Sequence, residues 1–221
     1  MPSMDYALAE LSPFRKLPRE ALERLSGACR LQRYSHGEAV FSEGDPAGPV
    51  FLLKSGLLKA VKFSPHGEPV IMEIIVPGGL FGMIAVMDRK PYPVTAVSIR
   101  KSEVYRIAAE DFAELMARRP DFSREVFSEI GRHLRQSQDL RALAKESAEK
   151  RVAYVLWLMS SAMGRELPVL RSDVAEMAGT TPETAIRTLA ALRRRKLLSS
   201  RWKRITVLNP ARLKALSEPV R

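Results

Sequence analysis

Apolar and polar positions divide the chain into a helical start, a strand-rich middle and a helical end. Within Leu11–Cys29 the apolar residues Leu17, Ala21, Leu22 and Leu25 recur at helical spacing. From Gln32 to about Arg106, turn residues separate short apolar runs, namely Ala39–Phe41, Val50–Leu53, Leu57–Phe63, Val70–Val76 and Val94–Ile99. Short strands at this spacing predict an antiparallel roll or sandwich.

The pattern becomes helical again after Ala108. It predicts a short helix over Asp111–Met116, a break at Pro120 and a long helix over Asp121–Leu143. The apolar stripe of the long helix is narrower than a globular core requires, which is typical of a dimer seam. The alternative is that it packs only on its own domain. The predicted dimer residues are Val126, Phe127, Ile130, His133, Leu134, Ser137 and Leu140.

The remaining residues predict a second helical module. Ser147 is a candidate N-cap for a strongly apolar helix that includes Arg151–Met159. Helices are then expected over Ser172–Ala178 and Pro182–Lys196, and a pair of strands over Leu198–Leu208. The expected division is a β-roll domain over 1–120, a dimerisation helix and hinge over 121–146, and a second, mainly helical domain over 147–221. The fold class is therefore α+β.

The segment RSDVAEMAGTTPETAIRTLAALRRRKLL follows the pattern of a helix-turn-helix. Gly179 suits the left-handed stop of the first helix, Thr181 is a candidate cap for the second, and Pro182 fits its first position. Inward-facing positions are predicted at Val174, Ala175, Met177, Ala185, Leu189 and Leu192. Outward-facing Glu183, Thr184 and Arg187 are then predicted to read bases, because Glu accepts from cytosine and Arg binds guanine bidentately. The alternative is that Glu183 and Arg187 are only an i,i+4 surface pair.

Charge supports a nucleic-acid partner. The chain has 221 residues and a net charge of +11. Residues 144–221 hold 16 Lys or Arg against 7 Asp or Glu, whereas residues 1–143 hold 20 against 18. A basic module beside a nearly neutral one favours double-stranded DNA as the partner. The residues predicted to contact the DNA backbone are Thr181, Arg193, Arg194, Arg195, Lys196, Arg201, Lys203 and Arg204.

Residue types exclude several other classes of protein. The single Cys29 cannot form an internal disulfide, a cysteine-ligated zinc site or an iron–sulfur cluster. The three histidines, His36, His66 and His133, do not form the ligand cluster that a β-roll metalloenzyme needs. We therefore expect no enzyme activity and no metal site. The N-terminus lacks the pattern of a signal peptide and no run of about 18 apolar residues occurs, so a cytoplasmic protein is expected.

The whole pattern resembles the CRP/FNR superfamily of bacterial transcription regulators. The resemblance rests on HGEAVFSEGDPAGPVFLLKSGLLKAV, on PGGLFG, on the long helix and on GTTPETAIRTLAAL, and it covers about Leu11–Leu216. It implies a cyclic-nucleotide-binding-like roll, a homodimer whose long helices pair, and a winged helix-turn-helix that binds a palindromic site. RNA polymerase is a further partner that it implies.

Departures from the family pattern bear on the effector. Cyclic-AMP receptors carry an Arg-Ser pair where this chain has Pro93-Val94 or Val94-Thr95, so no cAMP binding is expected. The apolar cassette FGMIAVMDRKPYPVTAVSI, residues 81–99, is similar to that of haem- and nitric-oxide-related regulators. It predicts a pocket for haem or another apolar ligand, lined by Phe81, Gly82, Met83, Met87, Tyr92, Pro93, Val94 and Thr95. The alternatives are that these residues only fill the junction, and that the regulator is ligand-independent and controlled by its abundance.

One further departure lies on the recognition helix. Ile186 stands where the family branches carry Gly or Ser, whereas Glu183 and Arg187 match both branches. The resemblance therefore implies a TTG-like or TGA-like core half-site and does not specify the outer bases.

Overall fold

The computed structural model describes residues 14–67, 69–201 and 203–218. These residues form two compact units, with the division between Gln136 and Ser137.

The first unit is built on two four-stranded antiparallel sheets. Their strand orders are β1-β8-β3-β6 and β2-β7-β4-β5. The strands are β1 (Arg30–Tyr34), β2 (Ala39–Phe41), β3 (Val50–Ser55), β4 (Leu58–Phe63), β5 (Pro69–Ile75), β6 (Leu80–Phe81), β7 (Thr95–Ser98) and β8 (Ser102–Ile107). The predicted antiparallel roll is therefore confirmed.

Helices flank the strands of the first unit. A 3₁₀ turn (Phe14–Lys16) precedes α1 (Arg19–Ala28), and α2 (Met83–Asp88) follows β6. Helices α3 (Ala109–Arg118) and α4 (Pro120–Leu143) follow β8, and the division between the units lies within α4.

Two apolar clusters form the core of this unit. One joins α1, β3, α3 and the start of α4, and it contains Phe112 and Phe122 in edge-to-face contact. The other contains the aromatic residues Phe41, Phe51, Phe81 and Tyr92. Such close packing fixes the position of α4 on the unit.

The second unit contains a helix-turn-helix and a three-stranded sheet of order β10-β11-β9. Its helices are α5 (Ala148–Met163), α6 (Arg171–Met177), α7 (Pro182–Arg194) and α8 (Pro210–Ser217). Its strands are β9 (Glu166–Leu167), β10 (Leu198–Arg201) and β11 (Arg204–Val207). The predicted cap of α5 is confirmed, because Ser147 Oγ accepts a hydrogen bond from the Lys150 backbone N–H.

The structure differs from the sequence prediction at several elements. The first helix begins only at Arg19, after the 3₁₀ turn, and Leu11–Pro13 lie outside the described residues. The predicted break at Pro120 is confirmed: α3 ends at Arg118, and Pro120 is the first residue of α4, where the first turn of a helix needs no N–H donor. Strands β1, β6, β8 and β9 and helices α2 and α8 were not predicted, since most are short or lack clear alternation.

Two predicted dimer residues, Val126 and His133, face their own unit instead, and His133 contacts Glu73 of β5. Val126 is fully buried in the core cluster beside Phe122, so it packs on its own unit. Phe127 and Leu134, in contrast, are each 59% exposed. The apolar face of α4 is therefore divided between a buried side and an exposed side.

Candidate DNA interface and effector cavity

A tight turn joins α6 to α7. Gly179 has a φ of +55°, in the left-handed region that glycine adopts without a steric penalty. Thr181 Oγ1 accepts a hydrogen bond from the Thr184 backbone N–H at 3.3 Å, and Pro182 follows as the first residue of α7. The predicted stop, cap and first-turn proline of the helix-turn-helix are confirmed.

Arg151 on α5 holds this turn in place. Its guanidinium donates to the backbone carbonyls of Ala178 at 2.8 Å and Gly179 at 3.2 Å. The same group donates to the carbonyl of Glu146 at 2.6 Å, just before α5. One side chain therefore satisfies three carbonyls, two of which belong to the turn before the recognition helix. The sequence contains no signal for this contact, because the partners are backbone atoms distant in the chain.

Helix α7 presents one apolar and one polar face. The predicted inward residues are all buried, namely Val174, Ala175 and Met177 on α6 and Ala185, Leu189 and Leu192 on α7. Glu183 and Arg187 are exposed on the opposite face of α7. The Thr184 hydroxyl is engaged locally, within 3.2 Å of the Thr181 hydroxyl and 3.5 Å of Arg187 Nη2. Glu183 and Arg187 are thus available to a ligand, and Thr184 lies where it positions Arg187.

The predicted backbone-contact residues fall into two groups. Arg195 forms an ion pair with Glu149, and Arg204 forms one with Glu166 at 2.8 Å. Within the described ranges no ion pair involves the exposed Arg193, Arg194, Lys196 or Arg201. A cation already paired with a carboxylate gains less from a phosphate than an unpaired one. The positive charge that is available to a phosphate is therefore concentrated on Arg193, Arg194, Lys196 and Arg201.

The predicted effector cassette lines a small cavity in the first unit. Its volume is about 60 Å³. Six of the eight predicted residues line it, namely Phe81, Gly82, Met83, Tyr92, Pro93 and Val94. Met87 and Thr95 do not: Met87 is 38% exposed, and Thr95 Oγ1 accepts a hydrogen bond from the Glu43 backbone N–H at 2.9 Å.

Aromatic side chains fill much of the space around this cavity. The rings of Phe41 and Tyr92 stack with centroids 4.0 Å apart, and Tyr92 donates its hydroxyl to the Pro49 carbonyl at 2.5 Å. Gly82 has a φ of +78°, and a Cβ there would lie 3.2 Å from the rings of Phe51 and Tyr92. The glycine of the Phe-Gly pair is therefore required both by its backbone and by the ring packing.

A buried polar cluster lies at one end of the cavity. His133 Nδ1 is 3.2 Å from the Glu73 carboxylate, and His133 Nε2 is 3.5 Å from the Glu129 carboxylate. Arg132 Nε donates to Glu129 at 3.0 Å. Burial raises the pKa of Glu73. Burial alone raises the pKa of Glu129 as well, but hydrogen bonds from His133 and Arg132 lower it to about 2.

This geometry does not fit a cyclic nucleotide or a haem group. Pockets for ligands of such size enclose roughly 300–1,000 Å³, several times the volume found here. Among the described residues that line the cavity, there is no Lys or Arg to pair with an anionic phosphate. Both ring nitrogens of His133 face carboxylates, so neither is directed at an iron atom.

Among residues 14–67, 69–201 and 203–218, no group of three or more His, Cys, Asp or Glu has a geometry that holds a metal ion. Burial, together with the nearby Asp111, raises the pKa of the Cys29 thiol to about 12. No helix in the described part of the chain is long and apolar enough to span a membrane.

Comparisons with known proteins agree with this architecture. Residues 31–119 match the cyclic nucleotide-binding domain model, and residues 150–216 match the Crp-like helix-turn-helix domain model. The transcriptional activatory protein AadR of Rhodopseudomonas palustris is 32% identical over 207 residues, which cover 90% of this chain and 84% of that protein. This chain belongs to the CRP/FNR family of transcription regulators.

One further relative supports the assignment to the CRP/FNR family, and one solved structure supports the fold. The transcriptional activator protein anr of Pseudomonas aeruginosa is 30% identical over 82% of this chain and 78% of its own length. The solved structure of FixK2 from Bradyrhizobium japonicum has a TM-score of 0.72, covering 87% of this chain and 99% of that one at 22% identity. This CRP/FNR member thus has the roll, long helix and helix-turn-helix that its sequence predicts.

Three residues that form these buried contacts are not predicted by the sequence. Glu73 and Glu129 join His133 in the buried cluster, and Arg151 holds the turn of the helix-turn-helix. Glu129 and His133 are four residues apart on a predicted helix, and this spacing was the one available signal. Glu73 had no such signal, because its partner comes from α4.

Proposed function

We propose that this CRP/FNR regulator reads a palindromic DNA site as a homodimer, through Glu183 and Arg187 of each protomer. The observation that carries the proposal is the exposed pair on a recognition helix whose start is capped by Thr181 and held by Arg151. Glu accepts from cytosine N4, and Arg binds the O6 and N7 of guanine. Half-sites of the TTG-like or TGA-like type, about one helical turn or 34 Å apart, suit this arrangement.

Affinity for DNA comes from the cationic surface. We assign Arg193, Arg194, Lys196 and Arg201 as its main phosphate contacts, because none has a carboxylate partner in the described part of the chain. Arg195 and Arg204 contribute less, since their ion pairs with Glu149 and Glu166 must first be broken. Thr181, which caps α7, and Lys203 are the remaining proposed backbone contacts. Such contacts position the protein and make binding steeply salt-dependent.

A second copy of the chain is the partner proposed for α4. Phe127 and Leu134 lie seven residues apart on one face of this helix, with the half-buried Ile130 between them. Apolar side chains at this spacing are typical of paired helices. Leu140 and Ser137 extend the same face, and Val126 is not part of it.

The effector cavity favours a regulator that binds DNA without a nucleotide or haem. The supporting observation is the stack of Phe41 on Tyr92 beside a cavity of only about 60 Å³. A larger effector requires these rings to separate. We further propose that the protein acts in the cytoplasm, where its DNA lies, and that RNA polymerase is its partner at promoters.

The readout is tested by fluorescence titration of the full chain with duplexes enriched from a random-sequence pool. We expect Glu183→Ala and Arg187→Ala each to weaken cognate binding by about 1–3 kcal/mol while leaving random DNA nearly unchanged. Arg212→Ala, which removes an exposed charge on α8, is the control. Equal losses on cognate and random DNA would show that the two residues do not read bases.

The effector proposal is tested separately. We expect the same DNA affinity with and without cAMP, and no saturable absorbance change on addition of haem. A ligand-dependent rise in cognate affinity would contradict it.

A further inference from the structure

A cleft lies between α1 and α3 in the first unit. Its volume is about 220 Å³, compared with about 60 Å³ for the effector cavity. Residues three and four apart on each helix line its walls, because such residues share one helix face. Its inner surface includes Leu25, which is 4% exposed, and the half-buried Leu115. The cleft therefore offers an apolar surface to an aliphatic group.

Charged side chains line the same cleft on both helices. Glu20 and Arg24 belong to α1, and Asp111 belongs to the first turn of α3. No ion pair within residues 14–67, 69–201 and 203–218 involves any of these three residues. Arg24 and Asp111 therefore carry opposite charges on the walls of one cleft, but lie too far apart to pair with each other.

The arginines at the other end of the cleft are already paired with carboxylates. Arg118 lies 3.2 Å from Glu114, and the Arg119 guanidinium donates two hydrogen bonds to Asp121, at 3.0 and 3.2 Å. The cation that is available to a ligand in the cleft is therefore Arg24.

Asp111 is the half-buried carboxylate that is available to the same ligand. Burial and, second, the charge of Asp111 raise the pKa of the Cys29 thiol. An effect of this kind is expected of a carboxylate whose charge no cation neutralises. A cation supplied by a ligand would provide the missing partner.

A small zwitterion with an aliphatic body complements this arrangement. Guanidinium groups bind carboxylates through two parallel hydrogen bonds, and carboxylates accept hydrogen bonds from ammonium groups. Pockets for drug-sized ligands enclose roughly 300–1,000 Å³, so a cleft of about 220 Å³ suits a smaller molecule.

We propose that the cleft binds a free amino acid with an aliphatic side chain. The carboxylate of the amino acid pairs with Arg24, and its ammonium group pairs with Asp111. Its side chain packs on Leu25 and Leu115. This site goes beyond the proposed function, because it requires neither DNA nor a second copy of the chain.

The probe is L-leucine, titrated against the full chain without DNA and followed by ligand-observed NMR. We expect saturable binding with a dissociation constant of about 1 mM or lower. Three analogues each remove one feature: leucinamide lacks the carboxylate, 4-methylpentanoate lacks the ammonium group, and glycine lacks the aliphatic side chain. Each should bind about tenfold more weakly or worse, because it loses a charged hydrogen-bonded pair or a buried aliphatic group.

Variants assign the two charged contacts. Arg24→Gln should weaken L-leucine binding about tenfold but should not weaken leucinamide, which has no carboxylate for Arg24. Asp111→Asn should weaken L-leucine to a similar extent but should not weaken 4-methylpentanoate. The controls Arg30→Gln and Glu110→Gln remove exposed charges outside the cleft and should bind L-leucine like wild type. Thermal melts monitor the fold of Asp111→Asn, and the exposed Arg24→Gln tests the site independently.

Three results would overturn the inference: L-leucine binding that does not saturate, glycine binding as tight as that of L-leucine, or an L-leucine affinity that is unchanged in folded Arg24→Gln or Asp111→Asn. The first result would show that the cleft holds only solvent. Because every titration is carried out without DNA, its outcome does not depend on whether Glu183 and Arg187 read bases.

Discussion

His133 on α4 lies 3.2 Å from the carboxylate of Glu73 on β5, so a buried polar contact joins the long helix to the roll. Glu129 and Arg132 complete the cluster from the same helix. Burial raises the pKa of Glu73, whereas hydrogen bonds from His133 and Arg132 lower the pKa of Glu129 despite its burial, so the two carboxylates give the fold two opposite dependences on pH.

Replacement of Glu73 by Gln is expected to stabilise the protein at neutral pH. Burial raises the pKa of Glu73, so its ionised form is disfavoured in the folded state. Wild-type stability should therefore fall as pH rises from the ordinary range of Glu through the raised pKa, and remain lower above it. In Glu73→Gln this fall should be absent and the Tm at pH 7 should be higher. Thermal melts of both proteins from pH 4 to 8 measure the fall in Tm with pH and the difference in Tm at pH 7.

Glu114→Gln provides the control for Glu73, because Glu114 forms an exposed i,i+4 pair with Arg118 on α3. It should leave the pH dependence unchanged. A Glu73→Gln variant whose Tm is lower than wild type at pH 7 would show that the contact with His133 outweighs burial.

Glu129→Gln should have the opposite effect. Although burial opposes ionisation, hydrogen bonds from His133 and Arg132 hold its pKa at about 2. The ionised form therefore contributes stability that is present above the ordinary Glu pKa and is lost as pH falls towards 2. We expect up to about 3 kcal/mol of destabilisation at pH 7.

Urea unfolding of wild type and Glu129→Gln at pH 7, 5 and 3 measures this contribution. The difference between the two proteins should shrink below about pH 4.5, the ordinary Glu value. A difference that is constant with pH would refute the assignment to ionised Glu129.

Arg151→Ala should damage DNA recognition more than its charge alone explains. It removes the hydrogen bonds to Ala178 and Gly179 that hold the turn before α7. Each lost bond leaves a carbonyl with a cost of about 1–3 kcal/mol where it is buried. The ratio of cognate to random DNA affinity should fall, whereas Arg212→Ala, which removes the same charge away from the turn, should preserve it. Parallel fluorescence titrations give both ratios.

Phe127→Glu and Leu134→Glu should convert the proposed dimer to monomer. Each places a charge at a position that is 59% exposed in the single chain and that the proposal buries against the second copy. Analytical ultracentrifugation measures the mass, with the neighbouring exposed Ser128→Glu as control. A dimer that persists in both variants would place the seam elsewhere.

Local sequence determined the elements whose signals are short-range. Gly179, Thr181 and Pro182 mark the turn and start of α7 through their own backbone preferences, and helical spacing separates buried Leu189 from exposed Arg187. The antiparallel roll followed in the same way from short apolar runs between turns. Strand β1 was not predicted, because four of its five residues are exposed and the alternation of apolar and polar residues is lost.

Tertiary structure decided what depends on residues distant in the chain. Val126 and Phe127 are adjacent and both apolar, and only packing buries the first and exposes the second. The cassette from Phe81 to Thr95 predicted a pocket, but the stack of Tyr92 on Phe41 leaves it only about 60 Å³. Net charge located the DNA-binding unit, whereas ion pairs with Glu149 and Glu166 decided which of its cations are already neutralised. Secondary-structure propensity acts within a few residues of the chain. Side-chain burial and ion pairing, in contrast, depend on which surfaces the fold brings together.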